Sequence, residues 1–197
     1  MARKGPIVTD TSTIALGLAQ VRIGASATNI ASIHPILEST DSIGALATTR
    51  FIGNTDWFKL ETGFPLIEDF TTPIRESAGL ECSFKEITPF NMVLAYGLDP
   101  NSGEYSALTA HSGEVKLGAR RAPDYIRMEA MYTYPNGTNH MYIIFPRAQV
   151  SASVEMELQS EDAAAVPITI EAKGASSDVT GGSSVWDDKP LGRIMWD

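Results

Sequence analysis

"DYIRMEAMYTYPNGTNHMYIIFPRAQV", residues 124–150, is the stretch of sequence that decides the fold class. Two runs rich in aromatic and branched apolar residues flank Asn136-Gly137, a dipeptide that favours a type I′ hairpin turn because both central positions need a positive φ. We therefore predict antiparallel strands near 125–134 and 138–145. On the first strand apolar and polar residues alternate, which is typical of a strand with one buried face. The apolar positions are Ile126, Met128, Ala130 and Tyr132, and the polar ones are Arg127, Glu129 and Thr133.

Three further segments have the same alternation. "LECSF" at 80–84 predicts a strand upstream, and "SASVEMEL" at 151–158 and "VPITIEA" at 166–172 predict two strands downstream. Pro167 has no N–H to donate to a ladder, so it favours an edge or the start of a strand. The chain is therefore predicted to be mainly β.

One short helix interrupts this β-rich pattern, in "ITPFNMVLAYGLDP" at 87–100. Thr88 is a good N-cap, Pro89 suits the first helical position, and Gly97 can adopt the left-handed conformation that ends a helix. We predict a helix over 89–96, closed by a Schellman-type return of Leu98 onto Val93. Because two turns are unstable alone in water, a sheet must supply the surface that buries the apolar face.

The segment at 55–72 and the two ends have different properties. "TDWFKLETGFPLIEDFTT" is predicted as a strand followed by an irregular loop that is unusually apolar, so it either folds back on its own core or covers a neighbouring subunit. Residues 1–45 lack a sustained period, and 174–185 have the composition of a flexible linker. The final "VWDDKPLGRIMWD" contains two tryptophans, which indicates that this arm docks on its own chain or on another.

Composition excludes several classes of function. The 197 residues suffice for one domain, no apolar run is long enough to span a bilayer, and no signal peptide is recognisable. The net charge of −9 argues against tight binding to nucleic acid, since phosphates require a basic face. Cys82 is the single cysteine and is predicted to be buried and inert. The three histidines have no metal-ligand spacing. We predict no enzymatic activity, no cofactor and no metal.

The order of these segments resembles the tail tube (major tail) proteins of tailed bacteriophages. The likeness lies in "LECSFKEITPFNMVLAYGLDP" followed by "YIIFPRAQVSASVEMELQSEDAAAVPITIEA", and it covers roughly residues 72–173. In that family a strand leads into a short helix that begins with Thr-Pro, and a late strand leads through a polar turn to another strand. The two arms do not share the likeness.

The resemblance implies a mainly β, β-sandwich or barrel-like tail-tube fold with one short flanking helix and extended arms. We predict an N-terminal arm with a first strand (1–45), a tube domain (46–173) and a linker with a C-terminal arm (174–197). Six copies would form a ring, and stacked rings would form a tube in the virion, assembled in the host cytoplasm. The implied partners are other copies, sheath or other tail proteins, baseplate and terminator. DNA would pass without tight binding, and no membrane is involved.

Two groups of residues are candidates for this function. Exposed apolar residues of the 55–72 loop and the C-terminal arm are predicted to lie between subunits: Trp57, Phe58, Phe64, Leu66, Phe70, Trp186, Ile194 and Trp196. Carboxylates on the polar strand faces are predicted to line the channel and repel DNA, unless they are ordinary solvated residues of the outer surface: Glu81, Glu129, Glu155, Glu157 and Glu171.

The alternative function is another β-sandwich assembly module of a phage, in a baseplate or as a capsid decoration. A protein related to bacterial secretion tubes would have a similar fold.

Overall fold

The chain is mainly β, as the sequence predicts. The computed structural model describes residues 17, 19–105, 107–117, 122–151, 154–156, 158 and 164–197. The strands are Gln20–Ala25 (β1), Leu46–Thr62 (β2), Ile67–Phe84 (β3), Ile126–Thr133 (β4), His140–Val150 (β5), Val166–Ala172 (β6) and Arg193–Trp196 (β7). The α-helices are Ser26–Asn29 (α1) and Pro89–Ala95 (α2).

The seven strands form one antiparallel sheet in the order β1-β4-β5-β6-β3-β2, with β7 also paired to β5. The first half of β5 pairs with β7 and the second half pairs with β6. Strands β7 and β6 therefore lie end to end along the same edge of β5. Pro167 lies near the start of β6, before the ladder to β5 begins at Ile170.

One face of the sheet encloses the main hydrophobic core. The core includes Val21 and Ile23 from β1 at one end of the sheet and Leu80, Cys82 and Phe84 from β3 towards the other end. Since strands from both ends share one cluster, the sheet curves around it. The alternation predicted for 80–84 is confirmed.

The helix α2 covers this core as predicted. The Thr88 hydroxyl accepts a hydrogen bond from the Asn91 N–H at 3.2 Å, which is the N-cap contact. Gly97 has a φ of +77°, and the Leu98 N–H donates to the Val93 carbonyl at 3.2 Å, which closes the Schellman motif. Leu94 lies within the main core.

The opposite face of the sheet, the outer face, holds a buried ion pair. The sequence places Glu129 on a solvated face and offers it as a channel residue, and this is wrong. Arg127 and Glu129 are both buried, and Arg127 Nε donates to Glu129 Oε1 at 2.7 Å. Strand β4 is therefore buried on both faces.

This ion pair holds the segment that follows α1 against the sheet. Arg127 Nη1 donates to the carbonyls of Asn29 and Ser32 at 2.9 and 2.8 Å, and Nη2 donates to that of His34 at 2.8 Å. The Glu129 carboxylate accepts from the backbone N–H groups of Ile36 and Leu37 at 3.0–3.1 Å. The two charges thus satisfy backbone groups of 29–37, a stretch with no sheet partner of its own.

The C-terminal arm docks on the same outer face of its own chain. Trp186 is fully buried beside Ile144 and Ala175, and its Nε1 donates to the Ile30 carbonyl at 2.6 Å. The prediction that Trp186 lies between subunits is therefore wrong, because its own chain supplies the whole pocket.

The segment 174–185 is a compact set of turns rather than the flexible linker predicted. The Ser183 N–H donates to the Ala175 carbonyl at 2.8 Å, and the Ser177 N–H donates to Asp187 at 2.8 Å. A Cβ at Gly182 would lie 1.8 Å from the Ser176 carbonyl oxygen, so glycine is needed where the chain doubles back.

The hairpin at 124–150 forms, but its turn is not type I′. Among the described residues only glycines have positive φ, so Asn136 does not adopt the required conformation while Gly137 does, at +72°. The turn instead runs from Tyr134 to Gly137 with Pro135 and Asn136 at its centre, and the ring of Pro135 restricts its own φ to negative values. The Gly137 N–H donates to the Tyr134 carbonyl at 2.9 Å, and Asn136 Oδ1 accepts from the N–H groups of Thr138 and Asn139 at 3.1 Å.

The strand predicted over 151–158 is also wrong in the described residues. Of these, Ser151, Val154, Glu155, Met156 and Leu158 are described, and none lies in a strand. The ladder of β5 with β6 ends at Val150, and the Ser151 N–H makes one further bond to the Thr169 carbonyl at 3.0 Å. Alternating apolar and polar residues in this segment do not form a strand, because its described residues have no partner strand to pair with.

Removing one member of the buried pair is expected to destabilise the fold strongly. Arg127→Leu leaves the Glu129 carboxylate buried without its cation, which costs on the order of 3–5 kcal/mol. Arg50→Leu is the matched control, because Arg50 pairs with Glu81 at 3.2 Å on the exposed part of the sheet, where a pair contributes about 0–1 kcal/mol. Urea unfolding of both variants measures the difference, and equal losses would contradict this account.

Candidate assembly surface

Strands β2 and β3 extend beyond the rest of the sheet as a two-stranded ribbon. Strand β3 pairs with β6 only over Gly79–Phe84, whereas its ladder with β2 continues to the pair Thr62–Ile67. We call residues 53–78 the ribbon and residues 63–66 its tip. From Gly53 to the tip, at roughly 3.3 Å per residue, the ribbon is about 33 Å long. The segment predicted as a strand and an irregular loop is therefore a hairpin.

The distal half of the ribbon has one apolar face. Paired residues lie on the same face, and faces alternate along each strand. The pairs Phe58–Thr72, Leu60–Phe70 and Thr62–Ile67 share the first face. Its four large apolar side chains are all exposed: Phe58, Leu60, Ile67 and Phe70.

The opposite face of the distal ribbon is mostly polar. It contains the pairs Lys59–Thr71 and Glu61–Glu68, and Lys59 Nζ contacts Glu68 Oε2 at 2.9 Å. The hydrogen bonds that Lys59 and Thr71 donate to the Glu68 carboxylate lower the pKa of Glu68. The apolar pair on this face, Trp57–Pro73, lies nearer the root of the ribbon, the end at which it joins the main sheet.

The apolar side of the ribbon changes face along its length. At the root, Phe51 is on the core side, and its ring lies 6.4 Å from that of Phe145. Seven residues later Phe58 points to the other face. A continuous core would keep the apolar side on one face, so the distal apolar face is not an extension of this chain's own core.

The remaining apolar candidates lie at the tip and on β7. Phe64 is fully exposed and Leu66 is two-thirds exposed. Ile194 and Trp196 are exposed on β7, and Trp196 Nε1 donates to the Tyr134 hydroxyl at 3.0 Å. The structure thus brings Trp57, Phe58, Phe64, Leu66 and Phe70 onto one ribbon and places Ile194 and Trp196 apart from it. Leu60, Ile67 and Ile74 are not among the predicted interface residues. The alternation of Leu60 with Phe58 could have indicated Leu60, whereas the register shifts of β3 interrupt the pattern at Ile67 and Ile74.

The acidic candidates do not form one surface. Glu81 and Glu171 lie on the outer face of the sheet, where it is not covered by the arm, and each is paired with a cation. Lys173 Nζ contacts Glu171 Oε2 at 2.6 Å and lowers the pKa of that carboxyl, with help from the Ser151 hydroxyl. Glu155 is exposed outside any strand, and Glu157 lies outside the described residues.

The remaining features of the described part of the chain concern metal binding, membrane spans and the turn at 99–104. No three metal-binding side chains of His, Cys, Asp or Glu cluster among the residues the structure describes. The described helices include none with the length and apolarity needed to cross a bilayer. The sequence 99–104 is a turn, in which the Asn101 N–H donates to Asp99 Oδ1 at 2.9 Å. The exposed ribbon is therefore the most distinctive surface described.

Comparison with known proteins identifies no relative by sequence. No family model matches the chain, and no curated protein matches it. Several solved structures have a similar chain path, among them the following two. One is a chain from the extracellular contractile injection system PVC sheath-tube complex in the extended state, at 11% identity and a TM-score of 0.48, covering 98% of this chain and 99% of that one. The other is the anti-feeding prophage cap (AFP tube terminating cap), at 11% identity and 0.41, covering 100% and 94%. Similarity at this level does not establish a shared function.

The thiol of Cys82 is expected to be unreactive in the folded protein. Burial raises the pKa of Cys82 to about 12, so the thiolate that attacks a disulfide reagent is scarce at pH 8. Labelling with a chromogenic disulfide should be slow in buffer and complete at once in denaturant. Rapid labelling of folded protein would mean that β3 opens readily.

Polar substitutions on the apolar face of the ribbon are expected to reduce self-association. The double variant Phe58→Ser, Phe70→Ser removes two exposed rings, each of which could bury on the order of 150–250 Å² in a contact. The matched control, Lys59→Ser with Thr71→Ser, alters the neighbouring positions on the polar face of the same ribbon. Sedimentation velocity across a concentration series should show weaker association for the first variant only. If both variants associated equally strongly, the hypothesis that the apolar face forms the interface would be rejected.

Proposed function

We propose that this chain is a structural virion subunit that self-assembles into hexameric rings, stacked as the tail tube of a tailed phage. In this proposal the protein is not an enzyme and needs no cofactor. The hollow tube is the channel for DNA ejection, and sheath or other tail proteins, baseplate and terminator are its further partners. The observation that carries the proposal is the ribbon, which exposes an apolar face that its own chain does not cover.

The ribbon supports assembly because of its size and position. Exposed apolar patches of more than a few hundred Å² are rare on monomers and mark interaction sites. Phe58, Leu60, Ile67 and Phe70 could together bury several hundred Å² on another copy, a useful share of a standard interface of about 1,600 Å². A projecting ribbon and a curved sheet are different surfaces, and contacts between different surfaces generate rings or filaments.

The sequence resemblance supports the tail-tube class among assembly proteins. The segments that carry it correspond to β3 with α2 and to β5 with β6, which are consecutive parts of one core. The other assembly modules remain the second candidate. Electron microscopy of the purified protein separates the two: rings or tubes support a tail tube, and persistent monomers at high concentration contradict it.

Removal of the C-terminal arm does not provide a clean test of assembly. A chain that ends after Lys173 lacks Trp186 and β7, so it exposes Ile144 and loses two hydrogen bonds to the 29–37 segment. Failure of such a chain to assemble would reflect a damaged fold. Point substitutions on the ribbon avoid this difficulty.

The channel wall is proposed to include Glu81, Glu155 and Glu171, with Glu157 as a further candidate by sequence. Negative side chains would repel DNA phosphates within about 8–10 Å at physiological salt, whereas basic ones would bind them. The pairing of Glu81 with Arg50 and of Glu171 with Lys173 makes this part of the wall close to neutral. A neutral wall still passes DNA, because it offers no excess cation.

Charge reversal on this wall is expected to slow DNA ejection. Glu81→Lys with Glu171→Lys would leave four cations where two ion pairs stand, while both side chains are exposed enough for tubes to form. Ejection from particles carrying this variant should be slow at low salt and recover as salt rises. The control, Asp188→Lys, reverses an exposed carboxylate of the C-terminal arm. Normal ejection at low salt would exclude these two residues from the wall.

A further inference from the structure

An apolar notch lies at the root of the ribbon, where the ribbon separates from the sheet. Strand β7 pairs only with β5, and the ribbon part of β3 pairs only with β2, so a gap opens between them in the described structure. The gap contains a cavity of about 170 Å³. It is lined by Phe51, Ala78, Phe145, Leu191 and the segment 192–194.

The backbone around Gly192 shapes this notch. Gly192 has a φ of +137°, and a Cβ there would lie 2.1 Å from the Ile144 carbonyl oxygen. Glycine therefore lets the chain enter β7 close against β5, which leaves the neighbouring space open. The C-terminal arm is thus folded so that its last strand forms one wall of an unfilled apolar site.

We propose that Phe64 at the ribbon tip of one copy occupies this notch in another copy. The proposal rests on the proposed function, and it names the contact that would join the copies. Phe64 is the most exposed large apolar side chain in the described residues. A cavity of roughly 150 Å³ holds a benzene molecule, so a notch of about 170 Å³ is large enough for one phenyl ring.

The geometry requires the notch of a different copy. The tip lies about 33 Å along the ribbon from Ala78, which lines the notch of the same chain. A ribbon paired along its whole length cannot bend back over that distance. Because the two surfaces differ, each copy can give one tip and receive one, and the contact repeats from copy to copy.

The charges of the two surfaces permit this contact. Residues 59–70 contain Glu61, Glu68 and Asp69 against Lys59 alone, a net charge of 1 − 3 = −2. The described residues that line the notch include Arg193 and no carboxylate. The Arg193 side chain itself points to the outer face, where its Nη1 donates to the Ile33 carbonyl at 3.3 Å. An acidic tip therefore meets no negative side chain in the lining of the notch as Phe64 enters it.

A pair of engineered cysteines tests this contact directly. In Phe64→Cys with Ile194→Cys, oxidation of assembled protein should join successive copies and give a ladder of covalent multimers on a non-reducing gel. Either single variant can give no more than a dimer. The buried Cys82 contributes no background. The matched control is Phe64→Cys with Val185→Cys, because Val185 is exposed outside the notch.

The outcomes separate the contact from the function. A ladder for the notch pair that is absent from the control supports the contact. If the wild-type protein forms tubes but the ladder is missing, or is equally strong in the control, the contact is wrong and the tube function stands. If the wild-type protein forms neither rings nor tubes, the proposed function fails and the contact with it.

A second variant measures how much the ring of Phe64 contributes. Phe64→Ala should raise the protein concentration needed for assembly by at least tenfold, since it removes the group that fills the notch. Phe64→Leu retains an apolar side chain and should recover most of the loss. Thermal unfolding of both variants should match that of the wild type, because Phe64 is fully exposed. Unchanged assembly of Phe64→Ala would overturn the proposal.

Discussion

The buried contact between Arg127 and Glu129 organises the outer face of the sheet. Both groups lie on β4, and both are removed from water, so each needs its partner and nearly all of its hydrogen bonds to be tolerated there. Their remaining capacity is used by backbone groups of residues 29–37. The Ile30 carbonyl of that segment accepts a hydrogen bond from Trp186. This contact holds the C-terminal arm in the position from which β7 pairs with β5. One ion pair thus determines where two otherwise irregular parts of the chain lie.

Features with short-range causes could be predicted from the sequence. The helix followed from Thr88, Pro89 and Gly97, because each acts on its own backbone, and the strands at 80–84 and 166–172 followed from alternation. Features that depend on distant partners could not. Glu129 alternates as a solvated residue would, and only the segment that covers it shows that it is buried. Trp186 could be recognised as a residue that docks, but not as one that docks on its own chain. The Asn136-Gly137 dipeptide predicted the hairpin correctly but its turn type wrongly. Pro135, which precedes the dipeptide, occupies the first central position of the turn and holds its φ negative.

The ribbon was missed as a regular element because its pattern is interrupted. The register of β2 against β3 shifts at three places, two of them within the ribbon, and each shift moves the side chains of one strand to the other face. The apolar residues therefore appear without a period in the sequence. A two-stranded hairpin is marginally stable in water by itself, so the pairing of its base with β6 must help to maintain it. Exposed edges with apolar faces are also prone to aggregation, which gives the charges on the opposite face a protective role.

The distribution of charge restricts how such ribbons can meet. The ribbon contains five acidic residues and two basic ones, a net charge of 2 − 5 = −3, whereas the Arg127–Glu129, Arg50–Glu81 and Lys173–Glu171 pairs leave the sheet locally balanced. Two ribbons placed side by side would bring like charges together across distances shorter than a Debye length of about 8 Å. A ribbon placed against the balanced sheet would not meet this repulsion. Apolar attraction alone does not distinguish one apolar surface from another. The charges therefore select the partner surface, because they disfavour pairing of two ribbons and favour contact of a ribbon with the sheet. Contact between unlike surfaces is the kind that repeats from copy to copy.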